Sequence, residues 1–374
     1  MNDTSMTTMK VKKINKNKVY HFIYAEKTTC KLIITQKLQM GLSTVTQNLK
    51  HLEEEGLIRK NGFFDSTGGR KADALEIVTD VKIAIGVAIL KDVIYIVATN
   101  LYGNLTHSMI KSLMFTPQEK YYERLSQYVN DFISENKLKN ILGVSIATQG
   151  IISKEGDYVY YGELLGNSSM KIQDFQKFIP YPCRLEHDSK AAANLELWKN
   201  KDVENAIVLL LNRNMGGALI VNGVIQNGDH MRSGIVEHLC VNSDGAMCYC
   251  GRRGCLETYC SVNALEQTAN MPINVFFKKI EQHDIRNLSI WHEYLNYLAL
   301  AIRNLSVIID GKFIISGYLA PYFKEADIKY LVNRINSYAT FPIDEKSIIL
   351  GSSGEFSQAV GASLYYIEEF LKQI

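Results

Sequence analysis

The chain has 374 residues, 47% of them apolar and 21% charged. That is apolar enough for real cores, too long for one ordinary domain, and not the composition of a disordered chain. The formal net charge of +2 argues against a protein that binds polyanions through bulk charge, but it is uneven: residues 1–80 hold 13 Lys and Arg against 9 Asp and Glu, and the rest hold 28 against 30.

In chain order, the basic head comes first. The N-terminal stretch MNDTSMTTMKVKK has neither the apolar stretch nor the small-residue site of a signal peptide. No apolar run approaches the roughly 20 residues of a bilayer span. A cytoplasmic protein without a membrane partner is expected, and its seven cysteines would then be reduced. Val19, Phe22 and Ile23 share a helical face, and a second helical segment covers about Lys31–Leu38. After the turn Gln39-Met40-Gly41-Leu42, a third helix is predicted over Ser43–Glu55, with Val45, Leu49 and Leu52 inward. Its other face offers Ser43, Thr44, Thr46, Gln47, Asn48, Lys50 and His51, polar groups suited to reading base edges in a major groove. Leu57–Lys60 and Leu75–Val78 read as two strands joined by a glycine-rich loop. Three helices and a hairpin make a winged helix-turn-helix. Ser43, Thr44, Gln47 and Asn48 are expected to meet DNA in the major groove. At the wing tip, Gly68-Gly69-Arg70-Lys71 places Arg70, with Lys71, toward the minor groove.

From residue 81 onward the pattern is α/β. Val81–Leu90 and Val93–Ala98 begin a meander, Pro117–Leu138 is helical, and Ile141–Ala147 is a buried strand. Ala206–Leu211, Ala218–Val221 and Phe313–Ser316 read as further strands, and Glu355–Leu371 as a closing amphipathic helix. A cleft between two lobes is the expected ligand site.

The most specific motif is His238-x9-Cys248-x-Cys250-x4-Cys255. Three thiolates and an imidazole form a closed tetrahedral zinc site, structural because no ligand position remains open. Gly251 and Gly254 permit the tight turns. The other cysteines, Cys30, Cys183, Cys240 and Cys260, read as ordinary packing.

These residues resemble the ROK family (repressors, open reading frames and sugar kinases), and within it the repressors with an N-terminal winged helix. CYCGRRGCLE is similar to the family's CxCGxxGCxE signature. STGGRK with ALEI resembles its wing and linker, Glu186-His187-Asp188-Ser189 its E-N-D-A stretch, and SQAVGASLYY its last helix. The resemblance implies a two-lobed, actin-like (ribonuclease-H-like) ATPase fold behind the winged helix. It divides the chain at residues 1–78 and 79–374, with a small lobe of about 79–189 plus 356–374 and a large lobe of about 190–355. It also implies a sugar pocket at Asp188, His187, His238 and Glu257, with His238 serving metal and sugar alike. The family's D-x-G-G-T reads Ala88-Ile89-Leu90-Lys91-Asp92 here, and G-T-G-x-G-G-G reads Asn212–Ala218 with only two glycines. Backbone loops that surround phosphates need those glycines, so no enzyme activity is expected. In the pocket, Ile235 stands where the family has Glu, a Glu appears two residues on, and His187 replaces Asn. The expectation is a non-enzymatic, sugar-controlled transcriptional repressor of carbohydrate genes. It would act as a homodimer or tetramer on an inverted-repeat DNA operator. Control by a protein partner, and an ATP-dependent sugar kinase, stand as alternatives.

Overall fold

The structure is a computed structural model that describes residues 8–64, 72–352 and 354–374. The head contains α1 (Thr8–Glu26), β1 (Thr28–Thr29), α2 (Lys31–Leu38), α3 (Leu42–Glu54), β2 (Ile58–Phe64) and β3 (Ala72–Ile77). Its three strands pair antiparallel in the order β1-β3-β2. Gln39 ends α2 in the left-handed conformation (φ 51°), setting the sharp turn into α3. Val19, Tyr20, Ile23, Ile34, Val45 and Leu52 are completely buried between the helices and the hairpin. The wing tip, with Arg70 and Lys71, lies outside the described residues.

The body starts with β4 (Ile83–Ile89), β5 (Val93–Thr99), β6 (Leu105–Ser112), α4 (Glu119–Glu135), β7 (Ile141–Thr148), β8 (Ile151–Ile152), β9 (Val159–Tyr161), α5 (Gln173–Gln176), β10 (Cys183–His187) and α6 (Asp188–Lys199). It continues with β11 (Ala206–Leu210), β12 (Gly216–Val221), β13 (Val224–Ile225), α7 (Glu257–Cys260), α8 (Val262–Ala269), α9 (Ile273–Glu281) and α10 (Ile285–Ser306). It closes with β14 (Lys312–Ser316), α11 (Glu325–Asn336), β15 (Ile348–Leu350) and α12 (Ser357–Gln373).

Two five-stranded sheets run β10-β7-β4-β5-β6 and β15-β14-β11-β12-β13. Each begins as an antiparallel meander on one side of its first strand and adds two parallel strands on the other. The sheets thus repeat one topology, and the α/β fold has the two lobes expected of an actin-like architecture. The near-continuous apolar run of β4 follows from burial on both faces: α4 packs on one, and α12 on the other. Gly86 is required there, because a Cβ would lie 1.9 Å from the Ala359 carbonyl oxygen. Helix α6 lies between the sheets. Ala191 meets α12 so closely that a Cβ on Gly361 would lie 1.7 Å from the Ala191 carbonyl oxygen, and Ala193 packs with Val208, Ala218 and Ile314 of the second sheet. Its run of alanines is what both approaches need.

The head is joined to the body by packing as well as by sequence. Tyr24 of α1 donates from its hydroxyl to the Leu101 carbonyl at 2.7 Å. Its ring lies 4.8 Å from that of Tyr102. Trp198, at the end of α6, donates to the Tyr102 carbonyl at 2.7 Å.

Candidate functional site

The metal motif converges. The ligand atoms of His238, Cys248, Cys250 and Cys255 all lie within 4.8 Å of one another. Cys248 Sγ is 3.8 Å from His238 Nδ1, and Cys250 Sγ is 3.7 Å from Cys255 Sγ. Thiolates about 2.3 Å from a tetrahedral ion sit about 3.8 Å apart, so the donor set and its spacing both suit zinc. Backbone pairing builds the loop: the Cys248 N–H donates to the Arg252 carbonyl at 2.8 Å, and the Leu256 N–H to the Leu239 carbonyl at 2.8 Å. Gly251 (φ 81°) and Gly254 (φ 72°) take left-handed turns that favour glycine. A Cβ on Gly254 would also lie 1.5 Å from the Asn242 carbonyl oxygen.

Beside this loop lies a cavity of about 100 Å³, whose lining includes His187, Asp188, Ile235, Glu237, His238 and Tyr249. It neighbours a larger cleft of about 810 Å³ that shares Ile151 and Tyr161 with it. Asp188 opens α6. Its Oδ1 accepts from the Ser189 N–H at 2.7 Å and the Ser189 hydroxyl at 3.2 Å, and its Oδ2 from Gln358 at 3.1 Å. His187 holds the cap position before the helix and accepts from the Ser189 N–H at 3.2 Å. Burial lowers the His187 pKa, with Asp188 opposing and Lys190 assisting, which favours a neutral ring.

Two carboxyls share the region but differ in commitment. Glu257 accepts from Asn214 Nδ2 at 2.8 Å and from the Met215 N–H at 2.6 Å. It is not among the residues lining the cavity. Burial pushes it up to about 7, these donors opposing. Glu237 lines the cavity, is buried, and has a carboxylate oxygen with no hydrogen-bond partner among the described residues. Burial pushes it up to about 8; its own N–H opposes, and Asp188 and then Glu257 add. A buried acceptor facing a cavity is what a hydroxylated ligand would satisfy. Glu237 is absent from the sequence-derived set, although its place beside His238 offered a signal. Gln358, which holds Asp188 across 170 residues of chain, offered none.

Some backbone groups of the chain's counterparts of the kinase loops are engaged elsewhere in the fold. At the β4–β5 turn, the Leu90 N–H donates to the Val93 carbonyl, and the Lys91 and Asp92 carbonyls accept from Phe115 and Leu113. In the β11–β12 turn, the Asn212 side chain accepts from the Tyr318 N–H at 2.7 Å, and the Met215 N–H is held by Glu257. A turn whose amide is held by a carboxylate does not offer that amide to a phosphate.

In the head, Ser43 and Gln47 are exposed and Thr44 is half-buried. Asn48 departs from the expected reading face. It is 6% exposed, and its side-chain amide donates to the Thr44 carbonyl at 3.0 Å. Val45, Asn48, Leu49 and Leu52 follow the i, i+3, i+4, i+7 spacing of one buried stripe. Thr46 and Lys50 are exposed on the helix beside Gln47.

Comparison with known proteins agrees with this arrangement. Residues 85–369 match the ROK family. The chain is 27% identical over 356 residues to the xylose repressor of Caldicellulosiruptor bescii, covering 87% of this chain and 88% of that protein. It is similar in structure to a ROK family transcriptional regulator described as a homolog of the E. coli MLC protein, with TM-score 0.76, 18% identity and 97% of each chain covered. A ROK hexokinase from Thermus thermophilus is also similar, with TM-score 0.63 and 19% identity over 78% of this chain and 99% of that one. At these identities the solved structures speak to fold. The family match spans most of the chain, and this protein belongs to the ROK family.

Proposed function

We propose that this protein is a sequence-specific DNA-binding repressor of carbohydrate genes, controlled by a sugar or sugar derivative and without kinase activity. The observation that carries the reading is the exposed polar face of α3, with Ser43, Thr46, Gln47 and Lys50, on a three-helix head packed against a ROK body. A repressor among its relatives supports the same conclusion. The head would read a half-site through the major groove, with Arg70 and Lys71 of the wing at the minor groove. Two copies would be needed, because a head with 13 cations against 9 anions holds DNA weakly alone. A homodimer or tetramer on an inverted repeat supplies them, with half-sites about 10 bp or a multiple apart.

The sugar would lie against Asp188, His187 and His238, with the unpartnered Glu237 accepting a hydroxyl. Glu257 would act at one remove, by fixing the Met215 turn. Zinc held by His238, Cys248, Cys250 and Cys255 would stabilise the loop that carries Glu237. Bound there, the ion supplies structure and no reaction. Kinase activity would be absent for want of the glycine-rich loops that surround phosphates.

A gel-shift assay on the gene's own upstream region, with and without a panel of pentoses, hexoses and N-acetylhexosamines, tests the reading. A retarded band that one sugar alters is expected. No retardation at low salt would overturn it, and sugar-dependent ATP consumption would overturn the non-enzymatic part.

A further inference from the structure

A third cavity, of about 620 Å³, runs along α6 beyond the two described above. Strand β10 and helices α6 and α12 form one side, and the β12–β13 turn of the second sheet closes the other. Its volume is that of a small-molecule site. Five cations line it: Lys154, Arg184, Lys190, Lys201 and Lys372. Two of these are already paired, Arg184 with Glu186 at 2.6 Å and Lys372 with Glu369 at 2.9 Å.

Lys190 stands apart. It is 8% exposed, and among the described residues its ammonium donates only to neutral oxygens, Asn227 Oδ1 at 2.9 Å and the Met231 carbonyl at 3.1 Å. A buried ammonium without a carboxylate partner costs free energy that a bound anion recovers. Burial pushes Lys190 down to about 8, with Glu186 opposing. Against these five cations the lining has two acids, Glu186 and Glu368. The site therefore leans positive. The rest of the lining suits hydroxyls and C–H groups: Asn194 is a polar partner, and Trp198 and Tyr365 are aromatic walls.

We propose that this cavity binds a small hydroxylated organic phosphate, its phosphate on Lys190 with Lys154 and Lys201 at the rim, and its hydroxyls on Glu186, Glu368 and Asn194. The site is separate from the sugar cavity, although His187 borders both. Its occupant would also touch the residues that hold the head. Trp198 donates to the Tyr102 carbonyl, and the Lys201 ammonium lies 5.8 Å from the centre of the Tyr24 ring.

Isothermal titration of the full chain with glucose 6-phosphate, ribose 5-phosphate and glycerol 3-phosphate tests the proposal, with glucose, ribose, glycerol and inorganic phosphate alongside. At least one ester should bind, its parent alcohol and inorganic phosphate each roughly tenfold weaker or more. Lys190→Gln should weaken that binding at least about tenfold. Reversing the exposed rim with Lys154→Glu and Lys201→Glu, which leaves the core intact, should do the same. Asp188→Asn should leave it within about twofold. No binding by any ester would overturn the proposal. So would binding that Asp188→Asn abolishes while the rim reversal spares it, since the ester would then belong to the smaller cavity. Inorganic phosphate binding as tightly as the esters would overturn the assignment of the hydroxyl contacts. The measurement uses no DNA, so its outcome is independent of the regulatory reading.

Discussion

Gly254 and Glu196 each stand where one atom decides the local structure. In Gly254→Ala, the new methyl meets the Asn242 carbonyl in a conformation already unfavourable to alanine. A stability loss above about 2 kcal/mol is expected in thermal or urea unfolding, together with reduced zinc per chain. Metal analysis of the wild type should give about one zinc, and Cys255→Ser should lower both metal content and melting temperature. Glu196 is completely buried and accepts from the Ser352 N–H at 2.8 Å and the Ser316 hydroxyl at 2.7 Å. Glu196→Ala leaves the Ser352 N–H unpaired, although the Ser316 hydroxyl still reaches the Ser352 carbonyl, and should cost about 2–4 kcal/mol in urea unfolding. Burial raises its pKa above the unfolded value. Folding therefore takes up a proton between the two values, and this residue's contribution to stability falls as pH rises through that window. Glu196→Gln should flatten that part of the stability–pH profile, as denaturation at a series of pH values would show. The cluster of His238, Cys248, Cys250 and Cys255 was legible as residues because softness and spacing are written in the chain. The partners of Asp188 were not, because Gln358 reaches it only through the packing of α12 on α6.

At the scale of elements, helix α3 separates two kinds of polar residue. Gln47→Ala should weaken operator binding with little change in melting temperature. Asn48→Ala should do the reverse, destabilising the head by about 1 kcal/mol with only a secondary effect on DNA. Paired melting and gel-shift measurements distinguish the two. The misplacement of Asn48 has a simple origin: side-chain polarity suggests exposure, while position between Val45 and Leu49 on the buried stripe dictates the opposite. Most strands and both terminal helices were legible from apolar runs and period. Helices α8 to α11 had no place in the sequence-based expectation. Yet Trp291, Leu295, Leu298, Ile302 and Leu305 of α10 recur at helical spacing and are buried against the second sheet. The repeated topology of the two sheets was beyond reach from the strands alone, since it lies in pairing order across long connections.

For the molecule as a whole, the joint between head and body carries the argument. Tyr24→Phe removes the bond to the Leu101 carbonyl and should loosen the head by about 1 kcal/mol. Trypsin should then cut faster after Lys82, in the connection between β3 and β4, while melting of the ROK body stays unchanged. Helix α6 links this joint to the cavities. Its first residue, Asp188, lines the small cavity, its flank borders the 620 Å³ cavity, and its end meets the ring system under the head. Twelve residues make a rod of about 18 Å. A tilt of about 5° at one end of such a rod carries the other about 1.6 Å sideways, more than a close-packed joint absorbs without rearranging. The helix is held along this length by close packing: Ala191 lies against α12 and Ala193 against the second sheet. Because Trp198 at its far end bonds the Tyr102 carbonyl, a ligand that re-angled α6 would have its effect beneath the head.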